Sequence, residues 1–308
     1  MKKVYFILGC TACGKASAGR VLAKKLGAQI LSVDSMKVYR RMNIGTAKPP
    51  ESVLADIPHF GVNLVEPSEH FSVAEYIEHA KFAIDQAEKS GKILLAVGGT
   101  SLYIQAMTKG LFDAPKPDPE IRKALQIEIR EKTPQVMHRE LAAVDPVSAE
   151  RIHPNDEMRI VRALEVFRST GKTISEMQTQ WDSAQPVCEP VLIGLRREKE
   201  IQSRRINSRV KKMVEMGLVE EVRALLDEEK PLSKPAAQAV GYAELIEHFE
   251  GKVPLEKAIE NIKVNTRRLA KKQRTWYRRW ANVNWFDLEE NETPEETADR
   301  IIEQIKFE

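Results

Sequence analysis

Cysteine is scarce. Three residues in 308, at positions 10, 13 and 188, are too few for a disulfide framework, so a reducing compartment is expected. Long apolar runs are missing too: nothing approaches the ~18 consecutive apolar residues of a membrane-spanning helix. The short run near the N-terminus enters a glycine turn, not a small-residue cleavage site, so it reads as a strand, and a cytoplasmic protein without a membrane partner is expected. No internal repeat or low-complexity tract is present. Net charge is also small, since 48 Lys and Arg against 45 Asp and Glu leave a formal +3.

That balance hides an uneven distribution. Residues 196–212 hold eight basic and two acidic side chains, residues 259–280 hold eight basic and one acidic, and residues 286–308 hold nine acidic against two basic. Two basic stretches before an acidic end suggest a polyanion-binding surface followed by a solvated terminus; the plainer reading is soluble helix faces.

With 42% hydrophobic residues the chain can bury a sizeable core. Its first half alternates apolar runs with helical patterns. VYFIL (4–8), QILSVD (29–34) and KILLAVGGT (92–100) read as strands, with helical spacing over 18–26 and 71–90. That alternation predicts an α/β fold with a parallel sheet covered on both faces and ligands beyond the carboxyl ends of the strands. APKPDPE (114–120) breaks the pattern. Helical signals then run over 120–132, 134–144, 146–152, 156–170 and 174–181, before VLIGL (191–195) returns to the sheet. Helices follow to 281, and NWFDL (284–288) reads as a last strand. The expected organisation is an α/β core from residues 1–113 and 187–308, interrupted by a helical insertion at 114–186.

The stretch GCTACGKAS (9–17) fits the phosphate-loop pattern G-x-x-x-x-G-K-[ST] everywhere except its last place, Ala16. A strand, a glycine-bounded turn and a helix aim backbone N–H groups, a helix N-terminus and Lys15 at one point, an arrangement suited to a diphosphate. The expected cradle is Gly9, Cys10, Thr11, Ala12, Cys13, Gly14, Lys15 and Ala16. The hydroxyl that would normally bind Mg²⁺ is missing at Ala16, and Ser17 lies about 100° further round the helix. Mg²⁺ is nonetheless the expected cofactor, held by diphosphate oxygens and reached through Ser17, or through Asp34 by way of water. The same stretch spells C-x-x-C. Cys13, near a helix N-terminus and a lysine, should have a lowered pKa, but the Gly-Lys that follows and the lack of a zinc partner pair favour two small side chains filling a tight loop over a functional dithiol. Asp34, at a strand's carboxyl end, suits a general base or metal-shell ligand, or else a turn cap. NIGTAKP (43–49) suits a substrate wall.

SVDSMKVYRRMNIGTAKP (32–49), VGGTSLYIQAMTKGLF (97–112), RIHPNDEMRIVRALEVFRSTGKTISE (151–176), AVGYAELIEHFEG (239–251) and NTRRLAKKQRTWYRRW (265–280) together resemble the tRNA dimethylallyltransferases, also called tRNA isopentenyltransferases, of the bacterial type. The resemblance spans nearly the whole chain, with its blocks in order. It implies a P-loop NTPase-like core and transfer of the dimethylallyl group from dimethylallyl diphosphate to the exocyclic amine of adenosine 37, next to the anticodon. It further implies Asp34 as proton acceptor, Thr100 beside the leaving diphosphate and the adenine, and Arg205 as the arginine near the diphosphate. Contacts to the tRNA anticodon stem-loop are implied for Asp34, Ser35, Met36, Lys37 and Thr100. The same holds, in the insertion, for Arg122, Met158, Arg159, Ile160, Val161 and Arg162. The basic residues of 196–212 and 267–279 would grip RNA phosphates, the insertion would act as the tRNA-binding arm, and a monomer is expected. The chain departs from the family pattern at Cys10, Cys13, Ala16, Lys37 (usually Gln) and Arg41 (usually Gly). Two other readings share these residues: a catalytically weakened tRNA-binding relative, and a prenyltransferase or kinase acting on a small nucleotide.

Overall fold

The computed structural model describes residues 1–110, 118–178 and 185–308. The expected boundary at 113/114, the proline-rich break at 114–117 and the end of the helix expected over 174–181 lie outside them. The chain divides into two compact units, Met1–Thr108 with Val187–Glu308, and Lys109–Pro186.

The first unit opens with β1 (Lys3–Gly9), α1 (Lys15–Leu26), β2 (Gln29–Val33), α2 (Glu51–Asp56), β3 (His59–Phe60), α3 (Val73–Lys89), β4 (Leu94–Gly98) and α4 (Ser101–Lys109). The second unit contains α5 (Pro119–Lys132), α6 (Pro134–Val144), α7 (Pro146–Arg151), α8 (Glu157–Thr170) and α9 (Ile174–Gln178). The first unit then resumes with β5 (Glu189–Arg196), α10 (Lys199–Glu215), α11 (Leu218–Leu226), α12 (Lys234–Ala237), α13 (Tyr242–Phe249), α14 (Leu255–Tyr277), β6 (Val283–Asp287) and α15 (Pro294–Gln304).

Six parallel strands form one sheet in the order β3-β2-β4-β1-β5-β6. Side chains alternate across a strand, yet Val4, Tyr5, Phe6, Ile7 and Leu8 are all buried, so both faces of β1 are covered. Tyr5 and Ile7 pack into a cluster with Ala18 and Leu22 of α1 and Ala298 and Ile301 of α15. The acidic end is therefore not the solvated terminus its charge suggested. Its apolar residues at helical spacing seat α15 against α1, and the final residues fold back onto β1, where the Tyr5 hydroxyl accepts the Glu308 N–H at 2.7 Å. The sequence reading missed β3. A two-residue strand paired to Ile30 and Leu31 leaves too short an apolar run to stand out.

The loops after β1, β2 and β4 meet at the carboxyl edge of the sheet. Gly98 is required there, since an added Cβ would lie 2.0 Å from the Val33 carbonyl oxygen. That same oxygen accepts the N–H groups of Gly99 and Thr100 at 3.0 and 3.1 Å, which ties the end of β4 to the end of β2.

The second unit has its own core, built by Leu125, Ile129, Met137, Leu141, Ile160 and Leu164. Aspartates set its helix starts: Asp118 caps α5, Asp145 caps α7 and Asp156 caps α8, each accepting N–H groups of the first turn.

Candidate active site

Residues 10–14 form the turn between β1 and α1, and its shape is held from outside by side chains distant in sequence. The carbonyls of Thr11, Ala12 and Cys13 accept from Gln202 (2.9 Å), Arg205 (3.1 Å) and Arg197 (3.0 Å) respectively. A peptide's N–H points opposite its C=O, so gripping these carbonyls fixes the amides the other way. The N–H groups of Gly14, Lys15 and Ala16 have no acceptor among the described residues, as expected of an anion cradle at a helix start. The Lys15 ammonium donates to the Cys10 carbonyl at 3.3 Å.

One amide side chain joins this loop to the end of β4. Gln273 of α14 accepts the Thr11 N–H at 2.8 Å and donates to the Gly99 carbonyl at 3.0 Å. Tyr277, one turn further on, is buried and donates to the Gly9 carbonyl at 3.3 Å. Burial pushes its phenol pKa upward, so it stays a neutral donor.

These loops surround a cavity of about 480 Å³. Thr11, Lys15 and Ala16 line it from the first loop, Asp34, Ser35, Met36 and Lys37 from the second, and Gly98, Gly99 and Thr100 from the third. Asp34 is its only carboxylate among the described residues. One of the Asp34 oxygens accepts the Met36 N–H at 2.9 Å, so it caps the turn while lining the cavity. Thr100 Oγ1 accepts the Ser35 N–H at 3.0 Å, which locks the second and third loops together. The wall at Asn43–Gly45 is pinned by Glu221 of α11, whose carboxylate accepts three consecutive N–H groups at 2.8–3.1 Å and the Tyr242 hydroxyl at 2.6 Å. Gly45 has to be glycine here, because a Cβ would meet the Tyr242 ring at 2.4 Å.

The arginine on the cavity is Arg209, not Arg205. Arg205 is exposed, and its guanidinium is engaged on the outer side of the loop. Arg209, one turn on, lines the cavity within 3.4 Å of Thr11 Oγ1. Burial lowers its pKa, and Asp34 opposes that shift.

Cys13 is fully buried, which removes the access that a reactive thiol needs. Cys10 is buried too, and burial raises its pKa, opposite to an activated thiolate. Both cysteines face a second cavity of about 360 Å³ behind the loop, bordered by Gln202, Arg274, Tyr277 and Trp280. Their role in the first cavity is confined to the backbone.

Magnesium lacks a ligand set of its own here. Ala16 presents a methyl group, Ser17 is not among the lining residues, and no group of three His, Cys, Asp or Glu residues able to hold a metal occurs among the described residues. One carboxylate with several cations around it is a poor cation site.

The insertion candidates belong to the second unit and separate by burial. Met158 and Arg159 are exposed, whereas Ile160 and Val161 lie in the core of that unit, so their side chains are not available to a ligand. Arg122 and Arg162 both donate to the fully buried Glu165, at 2.8 and 2.7 Å. The basic stretches likewise divide. Arg196 and Arg204 pair with Asp287 and Glu290 of the acidic end, and Arg274 donates to Gln202, while Arg268, Lys271, Arg278 and Arg279 are exposed.

Gln202, Gln273, Glu221 and Arg209 escaped the sequence reading as site-builders. Only Arg209 carried a local signal, four residues after Arg205 in the same helical stretch.

Comparison with known proteins shows the family. The family model described as "IPP transferase" matches residues 37–280. The chain is 45% identical over 288 residues to a tRNA dimethylallyltransferase of Geobacillus kaustophilus, covering 93% of this chain and 91% of the relative. It is 43% identical over 308 residues to that of Geobacillus thermodenitrificans, covering 99% and 96%. Among solved structures it resembles the full-length tRNA isopentenylpyrophosphate transferase of Bacillus halodurans, with 38% identity, a TM-score of 0.68, and coverage of 93% and 90%. It also resembles a eukaryotic dimethylallyltransferase acting on tRNA, with 29% identity, a TM-score of 0.79, and coverage of 93% and 74%.

Proposed function

This chain belongs to the IPP transferase family, and on that basis we propose that it transfers a dimethylallyl group from dimethylallyl diphosphate to the exocyclic amine of adenosine 37 in tRNA. The observation that carries the reading is the single cavity in which Asp34, Thr100 and the phosphate loop converge.

In this reaction the amine attacks the first carbon of the dimethylallyl group. The bond from that carbon to the diphosphate oxygen breaks, and its electron pair leaves with diphosphate. The amine proton passes to the second oxygen of Asp34, the carboxylate that lines the cavity. The amides at the start of α1, with Lys15 and Arg209, meet the charge that grows on the leaving group. Mg²⁺ would be held by the donor's diphosphate oxygens, since the described residues offer no ligand set of their own for it. Thr100 holds Ser35, and with it the turn that carries Asp34. An adenine amine becomes reachable only when the base leaves its stack, which costs least in a single-stranded anticodon loop.

The test is incubation of the purified protein with unmodified tRNA, dimethylallyl diphosphate and Mg²⁺, followed by nucleoside analysis. Prenylated adenosine that requires tRNA is expected. Product on free AMP without any tRNA requirement would overturn the acceptor assignment.

A further inference from the structure

Among the described residues, two cations on the cavity make no hydrogen bond or ion pair, and of these Lys272 is exposed whereas Lys37 is partly buried. Lys15 donates to a loop carbonyl and Arg209 approaches Thr11, whereas the partly buried ammonium of Lys37 makes no hydrogen bond or close ion pair among the described residues. A desolvated ammonium without an acceptor is costly, and such a group in a cavity calls for an anionic ligand. Its neighbours sharpen the point. Lys15, Arg209 and Arg20 all act against its charge, and only Asp34 favours it. Ala16, on the same cavity, supplies a methyl group where a hydroxyl could have held a divalent ion.

We propose that Lys37 binds the donor's diphosphate directly, as a built-in cation that takes over part of the charge neutralisation for which Ala16 provides no metal ligand. The inference rests on the reading of the cavity as a diphosphate site. It predicts that diphosphate binding depends on the Lys37 charge more than on Mg²⁺. The ammonium loses water on folding whether or not ligand is present, so contact with diphosphate recovers hydrogen bonds already forfeited. Burial and the three cations push the Lys37 pKa down to about 8, the state expected before an anion enters.

The test uses inorganic diphosphate and calorimetry on the full-length protein, in EDTA and then in Mg²⁺. Wild-type protein is expected to bind diphosphate in EDTA, and Lys37→Gln to bind it about tenfold more weakly or worse, the size of one charge-assisted hydrogen bond. Lys37→Arg should recover most of the loss, which separates charge from a folding defect. Mg²⁺ should improve wild-type affinity by less than about threefold, and that of the Lys37→Gln/Ala16→Thr double variant by about tenfold. Equal affinity of wild type and Lys37→Gln in EDTA would overturn the proposal, as would wild-type binding that appears only with Mg²⁺. Prenylation of tRNA by wild-type protein is scored separately. Diphosphate binding without tRNA product would sink the functional reading and leave this one standing.

Discussion

Arg205 and Arg209 lie four residues apart on α10, yet only Arg209 reaches the cavity. Residues so spaced share a helix face, yet the Arg205 guanidinium reaches the Ala12 carbonyl while that of Arg209 comes within 3.4 Å of the Thr11 hydroxyl. Arg209→Gln should lower kcat/KM for prenylation by about 10²-fold, the scale seen when one charge-stabilising donor is removed. Arg205→Gln should cost less than about threefold, as suits an exposed contact. Steady-state kinetics on both variants decide it, and equal losses would remove the distinction. Lys37 carries a second residue-scale prediction. Its pKa falls from the ordinary lysine value of 10.5 to about 8. The unfolded chain therefore binds this proton more tightly than the folded one between those values, and holding the charge opposes folding most below pH 8. Lys37→Met should raise the melting temperature of ligand-free protein at pH 7, with the gain shrinking as pH climbs from 8 to 10.5. A gain that does not vary with pH would mean that packing, not charge, is responsible.

At the scale of elements, the site is made by helices that contribute polar side chains to loops they never adjoin in sequence. Asn43, Ile44 and Gly45 present three N–H groups to one carboxylate, Glu221 of α11, about 180 residues away. Glu221→Ala would orphan those donors and the Tyr242 hydroxyl together. A loss of roughly 3 kcal/mol in urea unfolding of the first unit is expected, together with weaker acceptor binding. A change under about 1 kcal/mol would show that water replaces the carboxylate. Gln273→Met keeps the length of the side chain but breaks both bonds that α14 makes, to Thr11 and to Gly99. It should raise the KM for dimethylallyl diphosphate several-fold, with little effect on the melting temperature.

These contacts also explain what could be read from the sequence. The strands and the phosphate loop were legible because an apolar run, a glycine and a lysine at fixed spacing are local properties of the chain. Asp34 was legible for the same reason, being the residue that follows a strand. Gln202, Gln273 and Glu221 were not, because their meaning lies in loop partners more than 160 residues away, at Thr11, Gly99 and residues 43–45, and nothing in their own neighbourhoods marks them. The cysteines show the same limit. The Gly-Lys after C-x-x-C argued for loop packing over a dithiol, but the burial that bears on it was invisible until the loop closed on α10 and α14.

At the scale of the whole molecule, charge is sorted by where it ends up. The basic stretch at the end of β5 and on α10 is partly neutralised by the acidic end, through Arg196 with Asp287 and Arg204 with Glu290. The basic residues of α14 and of the turn that follows it behave differently. Arg268, Lys271 and Arg279 are exposed and form no ion pair among the described residues, so they remain available to a polyanion. If they contact RNA phosphates, each releases about 0.7 of a counterion on binding a single-stranded segment. Replacing all three by alanine should flatten the slope of log affinity for tRNA against log salt concentration by about 2. The affinity for inorganic diphosphate should stay unchanged, since none of the three lines the cavity. The same salt titration on Arg159→Ala probes the exposed face of the second unit, with an expected change of about 0.7. Filter binding across salt concentrations measures both variants. An unaltered slope in the triple variant would take the RNA backbone off α14, and a response confined to Arg159 would place the electrostatic grip in the insertion alone.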